Sequence, residues 1–71
     1  MNNIERNINV GTNLRNLRKQ RGYTLSYVSK QTGIPRGTVG YNESYGCVGP
    51  ERLKILCDFY GVDVEWIVEK H

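Results

Sequence analysis

The stretch Thr24–Glu43 constrains the fold of this chain more than any other part of the sequence, because two short helical segments meet there at one tight turn. A small residue, Ser29, stands where the two helices would nearly touch, and Gly33 in the turn tolerates a positive φ. Three apolar side chains are spaced to lock the pair together from inside: Val28, Ile34 and Val39. Each feature is common on its own, and an ordinary helical hairpin remains the alternative, but all of them in register favour two crossed helices.

Apolar residues with helical spacing flank this stretch and predict three more helices. The first segment places Val10, Leu14 and Leu17 on one face. The segment that follows Gly49-Pro50 is the most hydrophobic and is expected to form the floor of the core, with Leu53, Leu56, Cys57 and Tyr60. Asp63 is placed to cap a fifth helix, from which we expect three side chains to pack inward: Val64, Trp66 and Ile67.

The punctuation between these segments completes the predicted organisation. Glycines follow the helical segments at 22, 33 and 61, where left-handed caps are expected. The third helix is predicted over residues 35–43 and is followed by a loop over 44–49. Alternation of period two is nowhere sustained, so we expect an all-α fold: a compact five-helix domain over residues 9–71, preceded by a polar arm over residues 1–8.

The size of the chain limits the functions open to it. With 71 residues the chain can bury one small core, which excludes most enzymes. Its single histidine, His71, has no nucleophile or carboxylate arrangement around it, so we expect no catalysis. Two cysteines without a nearby histidine make neither a disulfide framework nor a metal site, and we expect no cofactor. We expect Cys57 in the core; for Cys47, in the predicted loop, a redox role is a minor alternative.

The sequence carries no targeting signal that we recognise. No apolar run approaches the roughly 18 residues that a membrane span requires, and the opening MNNIERN lacks the apolar segment of a signal peptide. We therefore expect a cytoplasmic protein with no membrane partner.

The charges are divided unevenly along the chain. Residues 1–36 contain seven basic side chains and one acidic one, a net charge of +6, whereas residues 37–71 contain three and six, a net charge of −3. The overall charge of +3 conceals this division. It favours a polyanion as partner of the basic half, although a solvated charged surface is the alternative.

Four parts of the sequence carry a family resemblance. They are LRNLRKQRGYT at 14–24, the register of Ser29, Gly33 and Val39, Glu43 at the end of the third helix, and YGVDVEWIV at 60–68. In these parts the chain resembles, over Val10–Trp66, the lambda-repressor-like helix-turn-helix family (the XRE family), and it is similar to the N-terminal domains of lambdoid phage repressors. The resemblance implies a five-helix domain that places helix 35–43 in the major groove of DNA, usually as a homodimer.

The resemblance also implies roles for single residues. Base contacts would come from the start of the third helix and from one turn later, at Arg36, Gly37, Thr38, Gly40 and Tyr41. Arg36 is the strongest of these candidates, since a guanidinium can bond the O6 and N7 atoms of one guanine, although a phosphate contact or solvation is as plausible. Phosphate contacts would come from helix N-termini and from Thr24, Ser26, Lys30, Arg15, Lys19 and Tyr45, the last of which faces either DNA or a second copy.

In the family, the positions of Arg18 and Glu43 form an ion pair between the first helix and the end of the third. We therefore expect Arg18 to be a structural residue rather than a DNA ligand.

The chain also departs from the family pattern. Leu25 replaces a glutamine that contacts phosphate, Asn42 replaces an apolar residue, and Gly37 and Gly40 weaken the recognition helix.

Two functions of different class remain open at this point. The first is a sequence-specific transcriptional regulator, a bacterial or phage repressor that binds a palindromic DNA operator as a homodimer. Self-contact would then come from the loop 44–49 and from Val64, Trp66 and Val68 of the C-terminal helix, and a separate regulatory protein could supply the switch. The second is a helix-turn-helix-like protein-interaction module, such as an antitoxin, an anti-repressor or an adaptor.

Overall fold

The computed structural model describes residues 6–71, and five α-helices account for most of them. They are α1 (Ile8–Gln20), α2 (Leu25–Thr32), α3 (Arg36–Tyr45), α4 (Pro50–Tyr60) and α5 (Val64–Ile67). Residues 6–71 form no strand, and their one β-type pairing is an isolated antiparallel bridge between Arg6 and Cys47. The prediction of an all-α, five-helix domain is confirmed.

Most helix boundaries follow from local chemistry that the sequence announces. Thr24 precedes α2, and its side-chain oxygen accepts a hydrogen bond from the Tyr27 amide at 3.0 Å. Gly33 ends that helix with φ of +78°, a left-handed conformation in which an L side chain would be strained. Asn7 likewise caps α1, where its side chain accepts from the Asn9 amide at 2.9 Å.

Two boundary predictions are wrong. α3 does not end at Glu43 but continues through Tyr45, because the glycine that adopts a left-handed conformation is Gly46, whose amide bonds the Asn42 carbonyl at 2.9 Å. The connecting loop is therefore residues 46–49 rather than 44–49. Asp63 precedes α5 as predicted, but its side chain makes no capping hydrogen bond.

The polar arm predicted over residues 1–8 is described only in part. Residues 1–5 lie outside the described residues. Arg6 forms the bridge to Cys47, the Asn7 amide donates to the Gly46 carbonyl at 3.0 Å, and Ile8 begins α1. The division of the chain into an arm and a domain stays a prediction.

The core contains side chains from all five helices and from the turn between α2 and α3. Its buried apolar members are Val10, Leu14, Leu17, Val28, Ile34, Val39, Leu56, Cys57, Tyr60 and Ile67. Val28, Ile34 and Val39 are almost completely inaccessible, as predicted for the contact between the two crossed helices. Burial raises the pKa of the Tyr60 phenol to about 12 and raises that of the Cys57 thiol, so both groups are neutral in the core near pH 7.

The inward packing predicted for α5 is correct only for Ile67. That side chain is fully buried, whereas Val64 is 44% exposed and Trp66 is 36% exposed. The reason is that α5 is a single turn of four residues, which can turn only one side chain fully toward α1 and α4. The Trp66 ring instead stacks on His71, with 4.0 Å between the ring centroids.

Asparagine side chains of α1 tie the C-terminal segment to the domain. Asn13 is buried, and its amide nitrogen donates to the carbonyls of Ile67 at 2.8 Å and Glu69 at 2.7 Å. Asn9 donates to the Val68 carbonyl at 3.3 Å. These carbonyls at the end of a helix would otherwise lack partners, so the amides stabilise the short α5.

α1 and α3 approach each other through their backbones. A β-carbon at Gly11 would collide with the Glu43 carbonyl oxygen and would lie 3.0 Å from the Gly46 nitrogen. Only a glycine allows this contact, because the obstructing atoms belong to the main chain and cannot rotate away. The N-terminal half of α1 is thereby seated directly against the C-terminal end of α3.

Within residues 6–71, no helix is both long enough and apolar enough to cross a membrane.

Candidate nucleic-acid interface

α3 has one buried side and one open side. Val39, Asn42 and Glu43 are buried against the domain, and these positions recur with helical spacing. Gly37, Tyr41 and Ser44 recur on the opposite side and are exposed. The open side of α3 is thus a continuous surface along the whole helix.

The five residues predicted to contact bases occupy this surface and its flanks. Arg36, Gly37 and Tyr41 are exposed, while Thr38 and Gly40 are half-buried. Arg36 is the first residue of α3 and therefore lies at the N-terminal end of the surface. The Tyr41 and Tyr45 rings pack together near the C-terminal end, with 4.8 Å between their centroids. The neighbouring Cys47 raises the pKa of the Tyr41 phenol above its ordinary value.

The two glycines of the open surface are not required by the fold. Neither has a positive φ. A β-carbon on Gly37 would meet nothing within 4 Å, and one on Gly40 would meet only Leu25 Cδ1, at an ordinary contact distance of 3.7 Å. Glycine inside a helix costs about 1 kcal/mol of stability relative to alanine. The contacts within the chain offer no compensation for this loss.

The predicted phosphate-contacting residues are all exposed, and they lie on three helices. Thr24 and Ser26 flank the start of α2, Lys30 lies one turn further along, Arg15 and Lys19 lie on α1, and Tyr45 lies on α3. The Thr24 hydroxyl already accepts the capping hydrogen bond, but its own proton remains free to donate. Pro35 precedes α3 and provides no side-chain cap, so the first amides of that helix keep their ability to bind an anion.

Arg18 and Glu43 form an ion pair that joins α1 to the end of α3. Arg18 Nε donates to Glu43 Oε2 at 2.8 Å, and Nη2 donates to Oε1 at 3.0 Å. The Glu43 side chain is 3% exposed and that of Arg18 is 14% exposed. Hydrogen bonding to Glu43 raises the pKa of the Arg18 guanidinium further above its ordinary value. Nη1 donates to the Tyr23 carbonyl at 3.0 Å, so all three nitrogen atoms of the guanidinium are hydrogen-bonded within the domain.

Arg15 makes a weaker contact with the same carboxylate. Its Nε lies 3.8 Å from Glu43 Oε1, and its side chain is 49% exposed. Most of the guanidinium is therefore available to a partner outside the chain.

Asn42 is buried at a position where the family resemblance implies an apolar residue, and only the nitrogen of its side-chain amide is hydrogen-bonded. Its Nδ2 donates to the Cys47 carbonyl at 2.7 Å, whereas its Oδ1 has no partner among residues 6–71. The satisfied half secures the first residue after Gly46, so the amide holds the end of α3 against the loop that follows. A buried oxygen without a partner costs about 1–3 kcal/mol, which offsets part of the stabilisation that the Asn42 amide group provides.

These features agree with the result of comparing the chain with known proteins. A family model described as helix-turn-helix matches residues 14–67, which include all of α2 to α5 and most of α1. The chain belongs to the XRE-like helix-turn-helix family. No curated protein and no solved structure matches it significantly.

Membership in this family gives the general function of the domain. The family consists of DNA-binding regulators and is not typically enzymatic. The protein is therefore a DNA-binding helix-turn-helix regulator, in which α2 and α3 are the two helices of the motif.

Sequence reasoning missed three contacts between helices of the domain. The backbone contact at Gly11 had no visible signal, because the residue that it meets lies more than 30 positions away in the sequence. The amide of Asn13 was likewise unassigned, although a cluster of asparagines in an apolar helix indicates buried hydrogen bonds. The apolar spacing of α2 includes Leu25, but it does not predict that Leu25 Cδ1 would lie 3.7 Å from a β-carbon on Gly40 of α3.

The ion pair predicts different stabilities for two arginine variants. Arg18→Ala leaves the buried Glu43 carboxylate without its bidentate partner, and we expect a loss of roughly 3–5 kcal/mol in the free energy of unfolding. Arg15→Ala removes a longer, half-exposed contact and should cost about 1 kcal/mol or less. Thermal denaturation followed by circular dichroism measures both. Equal melting temperatures for the two variants would contradict a structural role for Arg18.

Proposed function

We propose that the protein is a transcriptional repressor that binds a palindromic operator as a homodimer and inserts the open side of α3 into the major groove. The single observation that carries this proposal is the make-up of that side. An exposed arginine begins that side, and at its two glycines, which the fold does not need, no side chain separates the helix backbone from a partner.

The glycines support a large, rigid partner such as a DNA duplex. Alanine at either position would fit within the chain and would strengthen α3. A methyl group would, however, stand on the face that approaches the partner. We therefore assign Gly37 and Gly40 to close approach of the helix backbone to the base edges, with Arg36, Thr38 and Tyr41 reaching the bases around them.

Positive charge around this face supports the proposed orientation. Arg15, Lys19 and Lys30 are exposed on α1 and α2, and the start of each motif helix offers amides to a phosphate. The acidic side chains are concentrated in the other half of the sequence, where Asp58, Asp63 and Glu65 are exposed on and around α4 and α5. DNA would be attracted to the first surface and repelled by the second.

The homodimer rests on exposed apolar groups at the C-terminal end. Val64, Trp66 and Val68 are between about one third and one half exposed, and the amides of α1 hold their segment in place. Tyr45, 50% exposed at the end of α3, is available to the same contact or to phosphate. Two domains can engage two half-sites about one helical turn apart, which supplies the affinity that a single small domain lacks. Such a dimer, bound across a promoter, represses by excluding polymerase.

Selection from randomised duplex DNA tests the function and the role of Arg36 together. The wild-type chain should enrich a palindrome, and its affinity should fall steeply as salt increases. Arg36→Ala should relax the preference at one base pair in each half-site, at a cost of about 1–3 kcal/mol. Arg52→Ala, on the exposed surface of α4, is the matched control and should select the wild-type sequence.

Two results of this selection would count against the proposal. Weak binding without sequence preference would favour the alternative, a protein-interaction module. An unchanged selected sequence for Arg36→Ala would reject Arg36 as a residue that reads a base.

The glycines predict an opposite effect on stability and on binding. Gly37→Ala and Gly40→Ala should each raise the free energy of unfolding by up to about 1 kcal/mol and should weaken binding to the selected operator. Gly11→Ala is the control for a glycine that the fold does require, and it should lower the stability. Urea denaturation and operator titration measure the two effects. Alanine variants that bind the operator as tightly as the wild-type chain would contradict close approach at these positions.

A further inference from the structure

Leu25 is an apolar side chain at the polar end of the motif. It is the first residue of α2, and its neighbours Thr24 and Ser26 are exposed hydroxyl residues suited to phosphate contacts. Leu25 itself is only half-buried: part of it packs against the core, and the rest remains open. A leucine cannot hydrogen-bond a phosphate, so any contact that its exposed part makes with DNA is apolar.

The absence of a side chain at Gly40 places Leu25 beside the open side of α3. Among the described residues outside α3, only Leu25 comes within 4 Å of the position that a β-carbon on Gly40 would occupy, with its Cδ1 at 3.7 Å. The leucine methyl group therefore lies beside the flank of α3 at Gly40 and still leaves room for a β-carbon there. Gly37 and Tyr41, which lie three residues before and one residue after Gly40, are exposed.

The chemistry of the major groove identifies the complementary group. Bases present donors and acceptors there, and the C5 methyl of thymine is the apolar exception. We infer that Leu25, lying across Gly40, is a specificity-determining residue that selects thymine at one position of each half-site by contact with this methyl group. This inference rests on the proposed insertion of α3 into the major groove.

Replacing thymine by deoxyuridine tests the inference, because the change removes only the methyl group and keeps the base pair. Each thymine of the selected operator is replaced in turn, and the dissociation constants of the wild-type and variant chains are measured at fixed salt. For the wild-type chain, one position in each half-site should lose about fourfold in affinity, as expected for one apolar carbon returned to water. Leu25→Ala and Leu25→Gln should bind the thymine and uracil operators equally at that position.

Two further variants separate this role from packing. Leu25→Met keeps an apolar group over Gly40 and should keep the preference for thymine. Leu53→Ala truncates another half-buried leucine, on α4, and should also keep it. Circular dichroism at the assay temperature verifies that each variant is folded. If Tyr41 rather than Leu25 contacts a thymine, replacing that thymine by deoxyuridine will still weaken binding in the Leu25 variants, and this result identifies the Tyr41 contact.

The possible failures are distinguishable. Two outcomes would overturn the role of Leu25 and leave the repressor proposal standing, provided that a palindrome is enriched. In the first, no uracil replacement weakens binding of the wild-type chain. In the second, the Leu25→Ala and Leu25→Gln variants keep the wild-type ratio of uracil to thymine dissociation constants at every position. Failure to enrich any sequence would overturn both.

Discussion

The contact between α1 and α3 is the constraint on which the rest of this structure depends. α3 is only ten residues long and contains two interior glycines, so it is a weak helix by its own propensity. Its C-terminal end is nevertheless fixed to α1 twice, by the bidentate Arg18–Glu43 pair and by the backbone contact that Gly11 permits. Because these contacts use the buried side of α3, they orient the helix without occupying its open side.

This division of roles explains how a helix with poor intrinsic stability can serve as a recognition element. Residues that secure α3 are concentrated at its end, at Asn42 and Glu43, whereas those proposed to meet DNA begin at Arg36. The contacts at the end of α3 therefore offset the loss of helix stability that the two glycines cause. A bare helix surface held in a fixed orientation can approach base edges more closely than one covered with long side chains.

Much of the fold could be predicted because it is governed by local signals. The five helices, the cap at Thr24, the left-handed turn at Gly33 and the burial of Val28, Ile34 and Val39 follow from spacing and turn chemistry. The end of α3 and the orientation of Trp66 could not be predicted. The first depends on the tertiary contacts of Gly46, and the second depends on which face a single helical turn can bury. Most of the residues predicted to contact DNA are exposed, and Thr38 and Gly40 are half-buried, but exposure alone assigns no base or phosphate to any of them.

In the proposed complex, DNA contacts the open side of α3 and the start of α2, and the acidic C-terminal half faces away. The most direct measurement is a two-dimensional amide NMR titration of the labelled protein with the selected operator duplex. Binding in this orientation predicts the largest amide chemical-shift changes at residues 24–27 and 36–41, with small changes across the exposed residues of α4. Shifts centred on α4 and α5, with residues 36–41 unchanged, would contradict it.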